Sequence, residues 1–339
     1  MRYLFLPLLF CLQLRAQGPE NLVFEGAGIR GIAYAGAIEV MEKNGMLSGV
    51  QRIGGTSAGA ITALLLSLRY PAAEITRIVN STPYRKFNDG RFSVPGGINR
   101  MKNYFGWYRG KQFEKWLAKL IADKTGNADI RFEELHRLGY PDLYITGTSL
   151  DLQRTIVFSH EHYPQMRVRD AIRISTSIPL YFEAVFMTPA GELVSHPKKH
   201  REGLHVMVDG GITANFPIHL FDSSRYLPAG GKVHPGTLGF RIDNRQQILH
   251  DSLGLPGLAR RPIHTFNDYL KAFYSVMVEN LNRADLGPDD WQRTVAIDDG
   301  ELSPRIRKLS RAELNLLLGN GRRAMEEWLR KQREAGSAQ

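Results

Sequence analysis

The chain has 339 residues, of which 43% are apolar and 23% are charged. This is the composition of a globular protein with a sizeable core, and it excludes a disordered tail protein, a collagen and a disulfide-stapled miniprotein. The formal net charge of +10 favours anionic partners such as phosphates, membrane surfaces or nucleic acid, although the basic residues are spread along the chain.

The N-terminal segment differs in composition from the rest of the chain. A single early charge, Arg2, precedes an apolar run over residues 3–14, and a small residue, Ala16, follows. The run is shorter than the roughly 20 residues that a membrane-spanning helix needs, so residues 1–16 are predicted to be a secretory signal peptide. The alternative is a buried N-terminal element or a retained anchor. We therefore expect an exported protein that is periplasmic, associated with an outer membrane or secreted.

The remaining chain is predicted to form one catalytic-type domain over residues 19–328, since no repeat or low-complexity linker divides it. A basic C-terminal tail over residues 329–339 follows this domain. The single cysteine, Cys11, lies in the predicted signal peptide, so the mature chain would hold no disulfide and no cysteine-based metal site.

Two strand-turn-helix units open the domain. The first predicts a strand, a glycine-rich turn and a helix over residues 21–25, 26–31 and 32–43. The second repeats this order over residues 50–54, 55–59 and 60–69. Such alternation predicts a parallel sheet covered by helices. Later strands are expected over residues 142–150, 155–158, 206–208 and 237–242, and later helices over residues 168–175, 266–281 and from Arg311 onward.

The first turn carries the pattern G-x-G-x-x-G at Gly26, Gly28 and Gly31. A dinucleotide-binding loop is one interpretation, but it expects an acidic residue about 20 positions on, at the end of the second strand. Residues 52–55 hold no carboxylate, which excludes this interpretation. The other functional interpretation is an oxyanion hole, whose backbone N–H groups stabilise the negative oxygen of an attacked carbonyl. A tight turn without a ligand is the structural alternative.

The second turn carries the pattern G-x-S-x-G, with Ser57 between Gly55 and Gly59. A serine on a sharp turn between a strand and a helix projects its hydroxyl from the edge of the sheet, which makes Ser57 a candidate nucleophile. A serine that caps the following helix is the alternative. Because a serine hydroxyl is a poor nucleophile at neutral pH, the site also needs a base.

Two kinds of base are open at this point. In an α/β-hydrolase the base is a histidine late in the chain. The candidates are His219, His234, His250 and His264, none of which has a distinctive setting. The other candidate is Asp209, which follows a short apolar strand and could project its carboxylate towards the same site. Asp-Gly is also a common hairpin turn, so Asp209 has a purely structural interpretation as well.

In combination, these motifs resemble the patatin-like phospholipase family in type, order and spacing. The matching segments are E-G-A-G-I-R-G at 25–31, G-T-S-A-G at 55–59, S-T-S-I-P at 175–179, D-G-G at 209–211 and N-F-P at 215–217. The resemblance covers residues 22–242. It implies a three-layer α/β/α sandwich with a mainly parallel central sheet. It also implies hydrolysis of lipid acyl esters by a Ser-Asp dyad, without a histidine, a metal or another cofactor.

Carried over position by position, the resemblance assigns Ser57 as the nucleophile and Asp209 as the proton acceptor. The other assigned positions are Gly26, Ala27, Gly28, Arg30 and Gly31 in the oxyanion loop, Gly55 and Gly59 beside the nucleophile, and Gly210 and Gly211 after the aspartate. This chain departs from many family members at Glu25, where they have aspartate, and at Ala27, where they have glycine. An alanine keeps its backbone N–H, so the second departure matters little unless the position requires a positive φ.

The resemblance implies membrane lipids or other acyl esters as substrates. The aromatic residues 104–108, beside Arg100, Lys102 and Arg109, form either a flap for peripheral membrane contact or a buried aromatic cluster. No nucleic-acid partner is expected because the basic residues do not form a stripe with stacking aromatics, and no obligate protein partner is predicted. The alternative from another functional class is an inactive lipid- or phosphate-binding module on the same fold.

Overall fold

The computed structural model describes residues 18–90, 94–197, 201–228, 230–255, 257–260, 262–266 and 286–337, together with residues 268, 269 and 272. The predicted signal peptide, with Cys11, lies outside the described residues, as does nearly all of the predicted helix over residues 266–281. Within the described part of the chain, no helix is long and apolar enough to span a membrane.

A mixed, mostly parallel sheet forms the centre of the molecule and has nine strands within the described residues. The strands of the described residues are β1 (Asn21–Phe24), β2 (Arg52–Gly55), β3 (Gly106–Tyr108), β4 (Asp142–Ser149), β5 (Arg154–Phe158), β6 (Leu180–Phe182), β7 (Val185–Met187), β8 (Leu193–Val194), β9 (His205–Asp209), β10 (Thr237–Asp243) and β11 (Thr294–Asp298). The order in the central sheet is β11-β10-β1-β2-β4-β9-β7-β8, and β5 pairs with β4. Strands β3 and β6 form a separate parallel pair.

The described residues also form α-helices, some of which pack against this sheet. They are α1 (Ala33–Lys43), α2 (Ala58–Ser67), α3 (Ala72–Ser81), α4 (Tyr84–Phe87), α5 (Val94–Tyr104), α6 (Lys111–Thr125), α7 (Phe132–Arg137), α8 (Val168–Ser175), α9 (Gly211–Ala214), α10 (Arg245–Ser252), α11 (Pro288–Gln292) and α12 (Arg311–Ser337). Two 3₁₀ helices cover residues Gly28–Ile32 and Ile218–Phe221. Residues 329–337, which the sequence analysis assigns to a basic tail, continue α12, and α12 packs along α1.

Alternating side chains of the strands point into two cores, one on each face of the sheet. On β1, Leu22 and Phe24 belong to the larger core, whereas Val23 belongs to a smaller one on the opposite face. This alternation between two cores is typical of a strand that is buried on both sides, because successive side chains point to opposite faces of the sheet. The predicted α/β fold with a mostly parallel central sheet is therefore confirmed.

The register around β4 determines where the candidate site forms. Strands β2 and β4 are parallel, with Gly55 beside Ile145, while β9 runs antiparallel to β4, with Asp209 beside Gly147. Ser57 lies two residues beyond Gly55, and Gly147 lies two residues beyond Ile145. The end of β9 therefore reaches the level of Ser57 on the other side of β4.

The aromatic segment over residues 104–108 is for the most part built into the fold. Its last three residues form β3, and Arg100 Nε donates to the Trp107 carbonyl at 2.9 Å. Tyr108 stacks edge-on against Tyr181. Phe105 is the exposed member of the segment, with 39% of its surface accessible.

Candidate active site

Ser57 lies at the sharp turn between β2 and α2. Its backbone has φ 51° and ψ −117°, a conformation that costs a non-glycine residue on the order of 1–3 kcal/mol. The turn is closed by Gly59, whose N–H donates to the Thr56 carbonyl at 2.7 Å. A Cβ at Gly59 would overlap the Phe24 carbonyl oxygen, so this position requires glycine. Gly55 lies against the backbone of Gly59 in the same turn.

The side chain of Ser57 contacts the candidate base directly. Its hydroxyl donates to Asp209 Oδ2 at 2.7 Å, and it does not cap α2. The other carboxylate oxygen, Oδ1, accepts the N–H of Gly211 at 2.8 Å. The Asp209 N–H donates to the Ser177 carbonyl at 2.9 Å, which fixes the residue at the end of β9. Gly210 packs closely on Thr146 of β4, where a side chain would not fit.

Burial changes the acidity of Asp209. Only 5% of the residue is exposed, and this desolvation outweighs the hydrogen bonds from Gly211 and Ser57 that favour the carboxylate. The pKa of Asp209 is raised to about 7. At neutral pH the group therefore exists in both protonation states, as is suitable for a group that takes up and returns a proton.

Among the described residues, no histidine is hydrogen-bonded to Ser57 or Asp209. This holds for each histidine considered as a base: His219, His234, His250 and His264. One of them, His219, does have a carboxylate partner, because its Nδ1 lies 2.9 Å from a carboxylate oxygen of Asp222. Neither His219 nor Asp222 is hydrogen-bonded to Ser57 among the described residues.

The backbone N–H of Ser57 has an acceptor that the sequence analysis did not identify. It donates to Ser175 Oγ at 2.9 Å, and Ser175 is the last residue of α8. The S-T-S-I-P motif was visible in the sequence, but nothing in it indicated which atom its first serine would bind. Because this N–H is already engaged, it is not available to a ligand.

The glycine-rich loop lies beside Ser57 and has two adjacent N–H groups that donate to no acceptor among the described residues. Gly26 donates to the Asn215 carbonyl at 2.9 Å, and Ile29 donates to the Pro304 carbonyl at 3.2 Å. Between them, the N–H groups of Ala27 and Gly28 donate to no carbonyl of the described residues. The loop can therefore offer two adjacent donors to a negative ligand atom.

The conformation of this loop explains which positions need glycine. Gly28 has φ +57°, and a Cβ there would overlap the Pro304 carbonyl oxygen. Ala27 has φ −138°, which an alanine adopts without strain. The departure from glycine at Ala27 is thus compatible with the loop. Gly31 packs against the Ala58 methyl group at the start of α2.

Arg30 ties the loop to the far end of the sheet. Its Nε donates to the Ala27 carbonyl at 3.2 Å, and its Nη1 donates to Asp299 Oδ2 at 2.8 Å. Asp299 follows β11, and its side chain is 5% exposed. The guanidinium is therefore a brace for the loop, and Asp299 is a partner that no local pattern had indicated.

Glu25 links three segments beneath the loop. Its Oε2 accepts the Ile242 N–H at 2.9 Å, and its Oε1 accepts the Asn215 side-chain amide at 3.3 Å. Arg241 Nη2 lies 3.3 Å from the same Oε1. Since Glu25 is 2% exposed, these contacts compensate a buried charge. The carboxylate thereby connects the glycine-rich loop with β10 and with the segment after Gly211.

An apolar cavity begins at Ser57 and has a volume of about 100 Å³, well above the 10–15 Å³ that holds one water. Ala58, Ile61 and Leu65 lie in its wall on one face of α2. At about 1.5 Å per residue, this face extends roughly 12 Å from Ser57 to Leu65. The other apolar wall residues include Ile29, Ile32, Ala35, Ile75, Val79, Tyr84, Phe87, Phe113, Trp116, Ile178, Phe182 and Ile306. The cavity can hold an apolar chain next to the Ser57 hydroxyl.

Two other clusters of described residues bring three potential metal ligands together, and neither includes Ser57 or Asp209. The first is His136, Asp142 and His160. Its imidazole planes are parallel, with centroids 4.1 Å apart, so the two rings cannot both direct a lone pair to one ion. The second is His219, Asp222 and Asp290, and both of its carboxylates form ion pairs with the guanidinium of Arg293.

This chain is similar to known proteins over most of its length. The sequence profile of the patatin-like phospholipases matches residues 22–222. The chain is 34% identical over 215 residues to the uncharacterized protein YqhO of Bacillus subtilis, covering 62% of this chain and 69% of YqhO. It is 28% identical over 284 residues to the uncharacterized protein R571 of Acanthamoeba polyphaga mimivirus, covering 83% and 84%. A third relative, the "Probable lipid hydrolase 463L" of Invertebrate iridescent virus 6, is 23% identical over 222 residues, covering 62% and 66%.

Solved structures show the same fold. VipD from Legionella pneumophila aligns with a TM-score of 0.56 and 15% identity, covering 92% of this chain and 67% of VipD. A chain of the ExoU–SpcU complex from Pseudomonas aeruginosa aligns with a TM-score of 0.52 and 19% identity, covering 93% and 52%. The family profile spans more than half of this chain and includes the residues that meet around Ser57 and Asp209. The chain therefore belongs to the patatin-like phospholipase family.

Proposed function

We propose that the protein is a lipid acyl hydrolase of the phospholipase A type, which cleaves carboxylic esters with a dyad of Ser57 and Asp209. The observation that carries this proposal is the 2.7 Å hydrogen bond from the Ser57 hydroxyl to the buried carboxylate of Asp209. Ser57 itself lies in the wall of an apolar cavity. Family membership supports the reaction class. The lack of a histidine hydrogen-bonded to either residue, within the described chain, favours the dyad over a Ser-His-Asp triad.

In the first half-reaction, Ser57 Oγ attacks the carbonyl carbon of the ester while Asp209 takes up the hydroxyl proton. The bond from the carbonyl carbon to the alcohol oxygen then breaks, and the proton on Asp209 passes to that oxygen. The alcohol, such as a lysophospholipid, leaves. An acyl group remains attached to Ser57.

In the second half-reaction, a water molecule attacks the acyl carbon and gives its proton to Asp209. The bond to Ser57 Oγ breaks, the proton returns to the serine, and the fatty acid leaves. The pKa of Asp209, about 7, suits both directions of this transfer at neutral pH. Asp209 is deprotonated again at the end of each half-reaction, and the Ser57 hydroxyl is restored at the end of the second.

Both half-reactions develop negative charge on the carbonyl oxygen. The N–H groups of Ala27 and Gly28 are the proposed donors to this oxygen, because the neighbouring N–H groups of Gly26 and Ile29 already have protein acceptors. The N-terminus of α2 adds a favourable dipole at the same place. Arg30 supports these donors by bracing the loop on Asp299.

The proposal is tested by mass spectrometry of the lipids released from mixed phospholipid vesicles, with the Ser57→Ala variant as the matched control. We expect fatty acid and lysophospholipid from the parent protein and only background from the variant. Release by both proteins would exclude Ser57 as the nucleophile. No release by either protein, from vesicles or from short soluble esters, would favour a binding module on the same fold.

We also propose that residues 1–16 direct export of the protein. The support is compositional: a short apolar run followed by a small residue. Fractionation of expressing cells, with N-terminal mass mapping of the recovered protein, tests this. A protein recovered outside the cytoplasm without residues 1–16 is the expected result, and a cytoplasmic protein that retains them would contradict it.

A further inference from the structure

Two exposed apolar residues lie on neighbouring backbone segments where β3 and β6 begin. Phe105 precedes Gly106, which is the register partner of Leu180. Phe105 is 39% exposed and Leu180 is 65% exposed. Both have a positive φ, 61° and 66°, which is uncommon for residues with large side chains. The fold therefore holds two apolar side chains in solvent at a backbone cost.

A third exposed apolar residue belongs to the same surface. Ile98 lies on α5, is 47% exposed and precedes Phe105 by two helical turns. The Phe105 N–H still donates to the Met101 carbonyl, at 3.2 Å, so the helical hydrogen bonding continues to Phe105. Ile98 and the end of α5 are about two turns apart, so Ile98 lies on the same side of the helix as the point where Phe105 follows it.

Cationic side chains border these three residues. The Arg201 guanidinium lies 5.2 Å from the ring centroid of Phe105 and 4.7 Å from that of Phe186, and it donates to the Asn103 carbonyl. Lys102, four residues after Ile98, is exposed. An apolar centre with cations at its border matches a bilayer surface with anionic headgroups.

The position of this surface also fits a lipid source. Leu180 lies between Ile178 and Phe182, and both of these neighbours are in the wall of the apolar cavity that begins at Ser57. The surface residue Leu180 and two residues of the cavity wall thus belong to one short segment of the chain, which brings docked lipid close to the cavity that contains Ser57.

We infer that Ile98, Phe105 and Leu180, with Lys102 and Arg201 at their border, form a docking surface for membranes that contain anionic phospholipids. The apolar side chains enter the boundary between headgroups and acyl chains, and the cations contact lipid phosphates. The inference rests on the proposed function only in that the docked lipids would be the substrates.

The test is flotation of the full chain, carrying Ser57→Ala to keep the vesicles intact, with phosphatidylcholine vesicles and with vesicles that also contain phosphatidylglycerol. The variants are Phe105→Asn and Leu180→Asn, because asparagine tolerates a positive φ and should not strain the backbone. The matched control is Leu138→Asn. Leu138 is 60% exposed and lies shortly before the start of β4, whereas Ser57 follows the end of the parallel strand β2. The two residues are therefore at opposite ends of the strands.

We expect the protein to bind the anionic vesicles better than the neutral ones, and added salt to weaken binding. Each surface variant should bind at least about tenfold more weakly, as expected from exposing one large apolar side chain, while Leu138→Asn binds like its parent. Thermal unfolding monitors the fold of each variant. Equal binding by all variants, or no binding by the parent, would overturn the inference.

Two further measurements separate the possible failures. Hydrolysis of a short soluble ester by the protein with Ser57 intact tests the proposed function without a membrane. Ester hydrolysis without vesicle binding would overturn the docking surface alone, and vesicle binding without hydrolysis would overturn the enzyme alone. Self-association that Phe105→Asn abolishes, seen by light scattering, would assign the surface to a second copy and overturn the membrane assignment.

Discussion

Ser57 and Asp209 come from strands on opposite sides of β4, and their side chains meet at 2.7 Å. The parallel register of β2 and the antiparallel register of β9 bring both residues to the level of Gly147. Strained backbone at Ser57 and desolvation at Asp209 both cost stability, and the desolvation raises the pKa of the Asp209 carboxyl group.

The pH dependence of hydrolysis should follow the carboxylate of Asp209. Because the pKa of this group is about 7, kcat/KM should increase with pH through about 7 and level off above it. Below that value the rate should fall about tenfold per pH unit. Initial rates with a soluble ester between about pH 5 and 9 measure this profile. An inflection near the pKa of an ordinary exposed carboxyl group would show that Asp209 is not the controlling base.

The Asp209→Asn variant should lose hydrolysis and gain stability above neutral pH. A pKa raised from 3.8 to about 7 means that the folded protein holds a proton which the unfolded chain has lost, so stability falls as pH rises through this window. Above about pH 7 the buried charge costs on the order of 4 kcal/mol, much of which asparagine would recover.

Urea unfolding of parent and Asp209→Asn at several pH values checks this. The stability difference should be largest above about pH 7 and should shrink towards pH 4, where the unfolded parent also becomes protonated. A variant that is less stable than the parent at pH 8 would mean that the carboxylate contributes structural contacts which outweigh its desolvation.

The glycine-rich loop should tolerate substitution at Ala27 but not at Gly28. Gly28→Ala forces a side chain into the Pro304 carbonyl at a positive φ, so the loop must shift. Displacing one N–H donor from an oxyanion reduces kcat by about a hundred- to a thousandfold. Ala27→Gly should change kcat by less than about threefold, because φ −138° suits both residues. Steady-state kinetics give kcat for the two variants. An equal change in kcat for both variants would contradict the assignment of this loop as the donor to the oxyanion.

The wall of the cavity should control the length of the preferred acyl chain. Trp116 lies in this wall and packs on Phe87 and Phe113, with centroid distances of 5.6 and 5.7 Å. Trp116→Ala should therefore increase the ratio of kcat/KM for hexadecanoyl over butanoyl esters, by roughly fourfold for each further methylene that becomes buried. Trp328→Ala, on α12 and outside the cavity wall, is the control. An unchanged ratio in Trp116→Ala would place the acyl chain elsewhere.

Local patterns predicted the part of the fold that surrounds Ser57. The two strand-turn-helix units correspond to β1, α1, β2 and α2, because each is marked by apolar periodicity and a glycine turn within a short stretch. The paired strands β4 and β5 were predicted as well. The two-residue strand β8 and the three-residue strands β3, β6 and β7 were not, since so few residues cannot show a period.

The residues that support the candidate site were harder to predict, because their partners are distant in sequence. Arg30 and Asp299 are 269 positions apart, and Glu25 and Asn215 are 190 apart. No short pattern encodes such pairs, so the roles of Asp299 and Asn215 emerged only from the fold. Local motifs made Ser57 a candidate nucleophile and Asp209 one of several candidate bases, and the family resemblance chose Asp209 among those bases. Their catalytic roles stay predictions.

The most direct test of the dyad is covalent labelling with a fluorophosphonate that carries a long alkyl chain, followed by peptide mass mapping. Attack by Ser57 Oγ would displace fluoride and add the phosphonyl group to one peptide. We predict a single label on Ser57, formed far more slowly in Asp209→Asn because the hydroxyl then lacks a base. No label, a label on another residue, or an unchanged rate in Asp209→Asn would contradict the account.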